Sequence, residues 1–339
     1  MELQDYPFAT DRMIASLHPY SCKRDTMQTN DRNFKQGDKL LKMPGKLDRG
    51  PVEFKSHIVA REGEIMAIAT RDVVSVPPTM PILAAVETMT NCGFRRLPVV
   101  DAGSRKLRGI VTSGDIINFM GGGDKFNLVR IKHDGNLLSA INEPVRSIMT
   151  QQMTTLPDSA SINDAIDIIV NRRVGGMPIV DNDGVLVGIV TERDVMKVLA
   201  TERSGLCVND IMSTALRITN PDCPIRIVTR DMTTNRFRRL PVVSNDVVYG
   251  IITTTDIMKY LGTKKVFSQL KTGDIDEVMD LAVRNLVSGN LFTISPERSI
   301  NEAAREMVDR NVGALPVIEN TRLVGLVTEF DLVKALSRK

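Results

Sequence analysis

Four times along this chain a glycine opens a short apolar run that ends in threonine, with an aspartate three residues further on. The copies are GIVTSGD (Gly109–Asp115), GIVTERD (Gly188–Asp194), GIITTTD (Gly250–Asp256) and GLVTEFD (Gly325–Asp331). Upstream of each lies a strand-like segment with a proline second: LPVV at Leu97–Val100, MPIV at Met177–Val180, LPVV at Leu240–Val243 and LPVI at Leu315–Ile318. This recurrence is the strongest constraint in the sequence. The chain has to fold as copies of one supersecondary unit, and no single copy can cover its own apolar face.

The unit can be read locally. Leu, Ile and Val around each proline suit a buried strand, and proline fits only at a strand's start or on an edge. Turn residues such as DNDG at Asp181–Gly184 then predict a hairpin into the glycine-led strand. Before each proline segment lies an amphipathic helix. Ile162, Ala165, Ile166, Ile169 and Val170 share one face, as do Ile300, Ala303, Ala304, Met307 and Val308. Ile82, Ala85, Val86 and Met89 form the matching stripe in the first copy; Ile225, Val228 and Met232 form a less regular one in the third. After each aspartate a second helix begins. The unit is therefore strand, helix, strand, hairpin strand, helix. The units span residues 66–120, 145–200, 208–261 and 282–337. The joints 121–144 and 262–281 are long and the middle joint is short, so the units are expected to pair as 66–200 and 208–337. Residues 1–60 match no unit. They are rich in Lys, Asp, Asn and Gln, and a partly disordered arm is expected.

The repeated Thr and Asp have a structural reading. Thr is a good N-cap, and an acid in the first turn complements the helix dipole. Two features point further. A capping box prefers Glu or Gln, which reach back to the cap, and the chain uses that form in Ser299 with Glu302. All four copies of the motif carry the shorter Asp. A strand delivered straight to a helix N-terminus also offers N–H groups and a hydroxyl to a sugar or phosphate oxygen. A carboxylate there suits a ribose diol, as in dinucleotide folds. It would repel phosphate, which is expected nearer the paired arginines. Those arginines belong to an identical heptad, FRRLPVV, at Phe94–Val100 and Phe237–Val243. Arg95–Arg96 and Arg238–Arg239 thus stand at two strand mouths, where a planar guanidinium can fork onto phosphate.

The proline strand followed by G-h-h-T-x-x-D resembles the signature of cystathionine-β-synthase-like (CBS) domains. Four in one chain resemble the γ subunit of AMP-activated protein kinase and the stand-alone archaeal proteins of that plan. The resemblance covers about residues 66–337. It implies an α+β fold of four CBS repeats packed as two pseudo-twofold pairs in a flat disk. It also implies composite clefts, each strand facing the Thr and Asp of its pair partner. Leu97, Pro98 and Val99 would face Thr191 and Asp194; Met177, Pro178 and Ile179 would face Thr112 and Asp115. Leu240, Pro241 and Val242 would face Thr328 and Asp331; Leu315, Pro316 and Val317 would face Thr253 and Asp256. The arginines would turn toward phosphates at the centre. Repeats two and four carry Gly175–Gly176 and Gly313–Ala314 instead, so up to two clefts are expected to be empty.

The function that follows is a non-catalytic sensor of AMP, ADP or ATP, acting on a regulated protein that the sequence does not name. A homodimer is compatible with the family. S-adenosylmethionine or methylthioadenosine is the alternative ligand class, although neither carries a phosphate for the arginines. Nucleic acid or a scaffold role through the basic stretch Lys23–Arg49 is disfavoured. That stretch also holds Asp25, Asp31, Asp38 and Asp48, the net charge is only +3, and aromatic stacking platforms are few. His18, His57 and His133 lie outside the units, Cys22, Cys92, Cys207 and Cys223 are scattered, and no phosphate-binding glycine loop occurs. No enzyme, metal site or catalytic cofactor is therefore expected. No apolar run approaches the ~20 residues that span a bilayer, and a cytoplasmic location is expected.

Overall fold

The apolar stripe of each upstream helix decides what that helix packs against. α2 (Ile82–Cys92) buries Ile82, Ala85, Val86 and Met89. α5 (Ile162–Arg172) buries Ile162, Ala165, Ile166 and Ile169. α7 (Ile225–Asn235) buries Ile225, Val228, Thr229 and Met232. α10 (Ile300–Asp309) buries Ile300, Ala303, Ala304 and Met307. These are the expected stripes, except that Val170 and Val308 sit at the core's margin. The Ser299–Glu302 box forms as expected: the Ser299 N–H donates to Glu302 Oε2 at 2.9 Å, and the Glu302 N–H donates to Ser299 Oγ at 3.2 Å. α2 ends at Gly93, whose φ of +69° supplies the left-handed turn a helix end favours.

This architecture comes from a computed structural model. It describes residues 64–199, 204–245, 247–287 and 291–337, all within the unit Ala60–Lys339. The expected N-terminal arm, with Lys23–Arg49, lies outside the described residues.

Each repeat carries one antiparallel hairpin. β1 (Arg96–Val100) pairs with β2 (Leu107–Thr112), and β4 (Gly176–Val180) with β5 (Leu186–Thr191). β6 (Arg239–Ser244) pairs with β7 (Val247–Thr253), and β8 (Ala314–Glu319) with β9 (Arg322–Thr328). The register is the same four times, with Arg96 opposite Thr112, Gly176 opposite Thr191, Arg239 opposite Thr253 and Ala314 opposite Thr328. The expected first strand is much shorter than the others. It is the two-residue β3 (Leu156–Pro157), parallel to β4, in repeat two, and single parallel bridges from Val76, Thr219 and Ile294 elsewhere. The cause is in the sequence: Pro77, Pro157, Pro221 and Pro296 follow within two residues, and proline has no N–H to continue a ladder.

The closing helices are α3 (Ser113–Ile117), α6 (Glu192–Leu199), α8 (Thr254–Gly262) and α11 (Glu329–Leu336). Short helices α1 (Ile65–Ile68), α4 (Leu137–Ala140) and α9 (Asp276–Met279) belong to the lead-in and the two long joints.

Sheet edges join repeat one to two and three to four. The Thr70 N–H donates to the Ile189 carbonyl and the Ile110 N–H to that of Thr150, at 3.0 Å each. Ser213 does the same to Leu326 at 3.0 Å. Helices join the pairs differently: α8 lies on α2 and α3, and α11 on α5 and α6. Two apolar cores result. One merges repeats one and three, with Val86, Met89, Met258 and Leu261. The other merges repeats two and four, with Ile169, Met196, Met307 and Leu332. At Gly262 a Cβ would strike the Thr90 hydroxyl and come within 3.1 Å of the Val86 carbonyl, so glycine permits this contact.

Because each core crosses from one pair to the other, the pairs are not expected to unfold separately. Met258→Ala, in the core of repeats one and three, should cost about 2–5 kcal/mol. Urea unfolding followed by circular dichroism should show one transition, shifted to lower urea. A second transition, with only half the signal sensitive to Met258, would mean that the pairs fold independently.

Candidate functional site

The four Thr–Asp motifs build the same local structure. The Thr N–H and hydroxyl both donate to one carboxylate oxygen, Oδ2, three residues on. For Thr112 and Asp115 the distances are 2.7 and 2.6 Å. For Thr191 and Asp194 they are 3.0 and 2.7 Å, for Thr253 and Asp256 2.9 and 2.6 Å, and for Thr328 and Asp331 2.9 and 2.7 Å. At three of them the Asp N–H returns a bond to the Thr hydroxyl, completing a capping box. The structural reading of the motif as a helix cap thus holds, and the preference of capping boxes for Glu or Gln does not count against it here. With Thr in extended geometry, φ −124° and ψ 160° at Thr253, the shorter side chain reaches.

The cap uses only Oδ2, and what meets Oδ1 differs between repeats. At Asp115 the Lys125 ammonium and the Thr150 hydroxyl both bond to it. Lys125 is delivered from the first long joint, its own N–H held by Asn118 Oδ1 at 2.8 Å. At Asp194 the nearest cation is Lys197, at 4.0 Å. Asp256 and Asp331 have no hydrogen bond to Oδ1 among the described residues. Burial pushes both of those carboxyls up, only partly offset by the bonds from Thr253 and Thr328.

A cavity of about 570 Å3 brings two motifs together. Its lining takes Pro98, Thr191 and Asp194 from repeats one and two, and Thr253, Asp256, Gly313 and Ala314 from repeats three and four. Arg95, Arg96, Arg238 and Arg239 also line it. Pro98 with Thr191 and Asp194 is one of the four expected strand–motif pairings; Thr253 and Asp256 are met by Gly313 and Ala314 instead of the expected Leu315, Pro316 and Val317. Thr112, Asp115, Thr328 and Asp331 are not among its lining residues, and neither are Pro178, Pro241 and Pro316. The apolar strand residues fall elsewhere than expected. Leu97, Val99, Met177, Ile179, Leu240, Val242, Leu315 and Val317 are at most 1% exposed and face the cores. Strand alternation turns them inward, so Arg96 and Pro98 are what β1 shows to the cavity.

The arginines do not simply project into the space. In each repeat the N–H after the motif Thr bonds back to the carbonyl two residues before the strand's second residue: Ser113 to Arg95, Glu192 to Gly175, Thr254 to Arg238 and Glu329 to Gly313. Repeats one and three thereby set arginine beside a hydroxyl, and Ser113 Oγ lies 2.9 Å from Thr254 Oγ1. Repeats two and four set glycine beside a buried glutamate. The charges then pair across repeats. Arg95 donates to Glu329 Oε2 at 2.9 Å. Arg238 forks onto Glu192 at 2.9 and 2.7 Å. Arg193 donates to Glu329 Oε1 at 2.7 Å and to the Val312 carbonyl at 2.8 Å. The glycines clear the way. A Cβ on Gly175 would lie 2.5 Å from Arg238 Nη1 and 3.0 Å from Arg96 Nη2. One on Gly313 would lie 3.1 Å from Arg95 Nη1 and 3.2 Å from Arg239 Nη2.

Arg96 and Arg239 form no ion pair among the described residues; Arg239 bonds to the Gly313 carbonyl. Burial and the neighbouring Arg95 and Arg238 lower Arg96 to about 10, and burial with Arg238 and Arg95 does the same to Arg239. For Glu329 burial pushes upward, but Arg95, Arg193 and Arg239 outweigh it and hold the carboxyl at about 2. Glu192 is held below its ordinary value too, where burial is overcome by Arg238. Sequence reasoning missed Glu192, Glu329, Arg193 and Lys125. One signal was present: the residue after the motif Thr is Glu where the strand mouth has glycine, and a hydroxyl where it has arginine. Among the described residues no cluster could hold a metal ion, and no helix is long and apolar enough to cross a membrane.

Glu329 supplies a pH signature. Its folded value of about 2 lies below the ordinary 4.5. Its stabilisation is therefore fully present above pH ~4.5 and is lost as pH falls toward 2. Glu329→Gln should cost about 3–5 kcal/mol at neutral pH, since it strands buried arginines. Urea titrations from pH 7 to 2.5 should show the gap to the parent protein constant above pH 5 and closing below it. A gap unchanged at pH 2.5 would mean that the glutamate's charge is not what matters.

A family model for the CBS domain matches residues 63–122, 145–201, 208–263 and 283–338. Protein MJ1225 of Methanocaldococcus jannaschii is 41% identical over 273 residues, covering 80% of this chain and 98% of that one. Its crystal structure, described as that of a proposed archaeal homologue of g-AMPK, matches with a TM-score of 0.77 at 40% identity, over 80% of this chain and 99% of that one. A conserved protein of Pyrococcus horikoshii shares the fold, with a TM-score of 0.52 at 18% identity, over 80% of this chain and 99% of that one. A protein from the ribosomal RNA operon of Thermofilum pendens is 27% identical over 263 residues, covering 78% of this chain and 87% of that one. With four matched repeats that take up most of its length, the chain belongs to the CBS-domain family.

Proposed function

We propose that this protein is a non-catalytic regulatory sensor that binds adenine nucleotides, AMP, ADP or ATP, between its repeats. The observation that carries the reading is the pair Arg96 and Arg239. They are cations lining a cavity, without carboxylate partners among the described residues, and depressed by burial and like charge. A part-buried cation crowded by like charges is costly, and Glu192 and Glu329, already paired with Arg238, Arg95 and Arg193, offset it only in part. A phosphate oxygen reaching both would supply the missing countercharge. In the cavity lining Asp194 and Asp256 have Oδ2 committed to the helix cap. Oδ1 then remains to accept from a ribose diol. A hydroxyl donating to Asp256 would also favour the charged form that burial disfavours. The likeness to MJ1225, described as a proposed homologue of g-AMPK, supports the same reading. S-adenosylmethionine and methylthioadenosine carry no phosphate for Arg96 and Arg239. The Asp115 motif is a poor nucleoside site, because Lys125 and Thr150 already occupy Oδ1.

Calorimetry with adenosine, AMP and ATP tests this. Asp194→Asn and Asp256→Asn keep an oxygen for the cap and should weaken adenosine and AMP alike, by about 1.5–3 kcal/mol. Arg96→Ala and Arg239→Ala should cost AMP more than adenosine, and ATP more than AMP, with the loss shrinking as salt rises. Equal losses for adenosine and AMP in the arginine variants would remove the phosphate role. No heat with any nucleotide at millimolar concentration, or heat only with S-adenosylmethionine, would overturn the reading.

A further inference from the structure

We propose that Lys125 is a tethered plug: it shuts the Asp115 motif by standing where the hydroxyls of a ligand's diol would, on a strap seated against repeat three. This rests on the nucleotide reading above and concerns a motif outside the lining of the central cavity. The change that builds the plug is visible along the chain. Three residues after the motif Asp, repeats two, three and four carry Lys197, Lys259 and Lys334, whereas repeat one carries Asn118. An asparagine offers both an acceptor and donors, and Asn118 uses both on the segment that follows it. Its Oδ1 accepts from the Lys125 N–H at 2.8 Å, and its Nδ2 donates to Asp124 Oδ1 at 2.9 Å. Lys125 is thereby turned back toward the motif, and its ammonium bonds to Asp115 Oδ1. The cation that the helix lacks is returned from the strap.

Glycines let the strap turn and seat. Gly121 has φ +145°, a conformation open to glycine. A Cβ on Gly122 would strike the Thr233 hydroxyl and lie 2.8 Å from the Thr229 carbonyl oxygen, both on α7 of repeat three. Further along the same joint Arg130 pairs with Asp276 at 3.2 Å, and the Leu137 N–H donates to the Gly273 carbonyl at 2.9 Å. The strap is therefore fixed on both sides of Lys125. At Asp115 the closure is complete. Oδ2 takes two bonds from Thr112, and Oδ1 takes Lys125 and Thr150. A carboxylate has about four acceptor positions, so none is left for a diol. A tethered ammonium also competes at a high effective concentration.

The test is calorimetry of the full chain with adenosine, beside mass-spectrometric labelling of its lysines with an amine-acylating ester. Lys125→Met keeps an unbranched apolar stem and removes the ammonium. We expect it to bind one more adenosine per chain than the parent protein, and the double variant Lys125→Met with Asp115→Asn to return to the parent's number. In the parent, Lys125 should be acylated several-fold more slowly than Lys132, whose side chain is more than half exposed, and Asp115→Asn should remove that protection. An unchanged number of adenosines in Lys125→Met would overturn the plug, as would Lys125 acylated in the parent as fast as Lys132, or still protected in Asp115→Asn. In each of those cases adenosine binding by the parent leaves the nucleotide reading standing. Adenosine binding by neither the parent nor Lys125→Met would overturn both.

Discussion

The ion pairs that cross the centre decide how four similar repeats are ordered. Arg95 of repeat one meets Glu329 of repeat four, and Arg238 of repeat three meets Glu192 of repeat two. Sheet edges join repeats one to two and three to four, and helices join one to three and two to four. The ion pairs supply the remaining, diagonal contact. Apolar helix faces of similar width discriminate poorly among partners, since burial is not directional. Charges do discriminate. With repeats three and four exchanged, the diagonals would set Arg95 toward Arg238 and Glu192 toward Glu329. Like charges would then be buried face to face, and that repulsion selects the observed order.

Both glutamates are almost fully buried, at 1% and 0% exposure. Buried pairs of this kind often contribute little net stability over apolar packing, but breaking one is costly. Their role fits specification of the arrangement better than simple strengthening. The stabilisation comes from the two apolar cores, and the glutamates bias which repeats share them. They leave a second consequence at the centre. Arg95, Arg96, Arg193, Arg238 and Arg239 outnumber Glu192 and Glu329, so the region keeps positive charge that the described residues do not neutralise. The order of the repeats and the attraction for an anion thus come from the same set of side chains.

Much of this was legible in the sequence because it is local and repeated. The stripes of α2, α5, α7 and α10 depend on helical spacing alone, and the hairpins on a proline strand, a turn and a glycine. The Ser299–Glu302 box was readable for the same reason. The central network was not, because its partners lie far apart in the chain: Arg95 and Glu329 are separated by 234 residues. No spacing rule joins them. Two errors had physical causes. The average preference of capping boxes for Glu or Gln weighs against a purely structural role for aspartate, whereas extended Thr geometry brings it within reach. The apolar residues beside each proline were assigned to the clefts, whereas strand alternation turns them into the cores and leaves Pro98 at the cavity.

The four motifs show how a repeated fold can carry unequal sites. Every copy must cap its helix, and one aspartate oxygen with one threonine does so at all four positions. That requirement keeps the motif the same whatever else happens nearby. The second oxygen and the residue after the threonine are not needed for the cap, so each repeat can use them differently. In repeat one Lys125 and Thr150 fill the second oxygen's surroundings. In repeats two and four the following residue became a glutamate that orders the assembly, and glycines opposite it admit the arginines of the other repeats. In repeat three the second oxygen accepts no hydrogen bond among the described residues, and its aspartate lines the cavity. The conserved half of each motif therefore maintains the fold, and the variable half decides whether that copy closes on itself, holds its neighbours or meets a ligand.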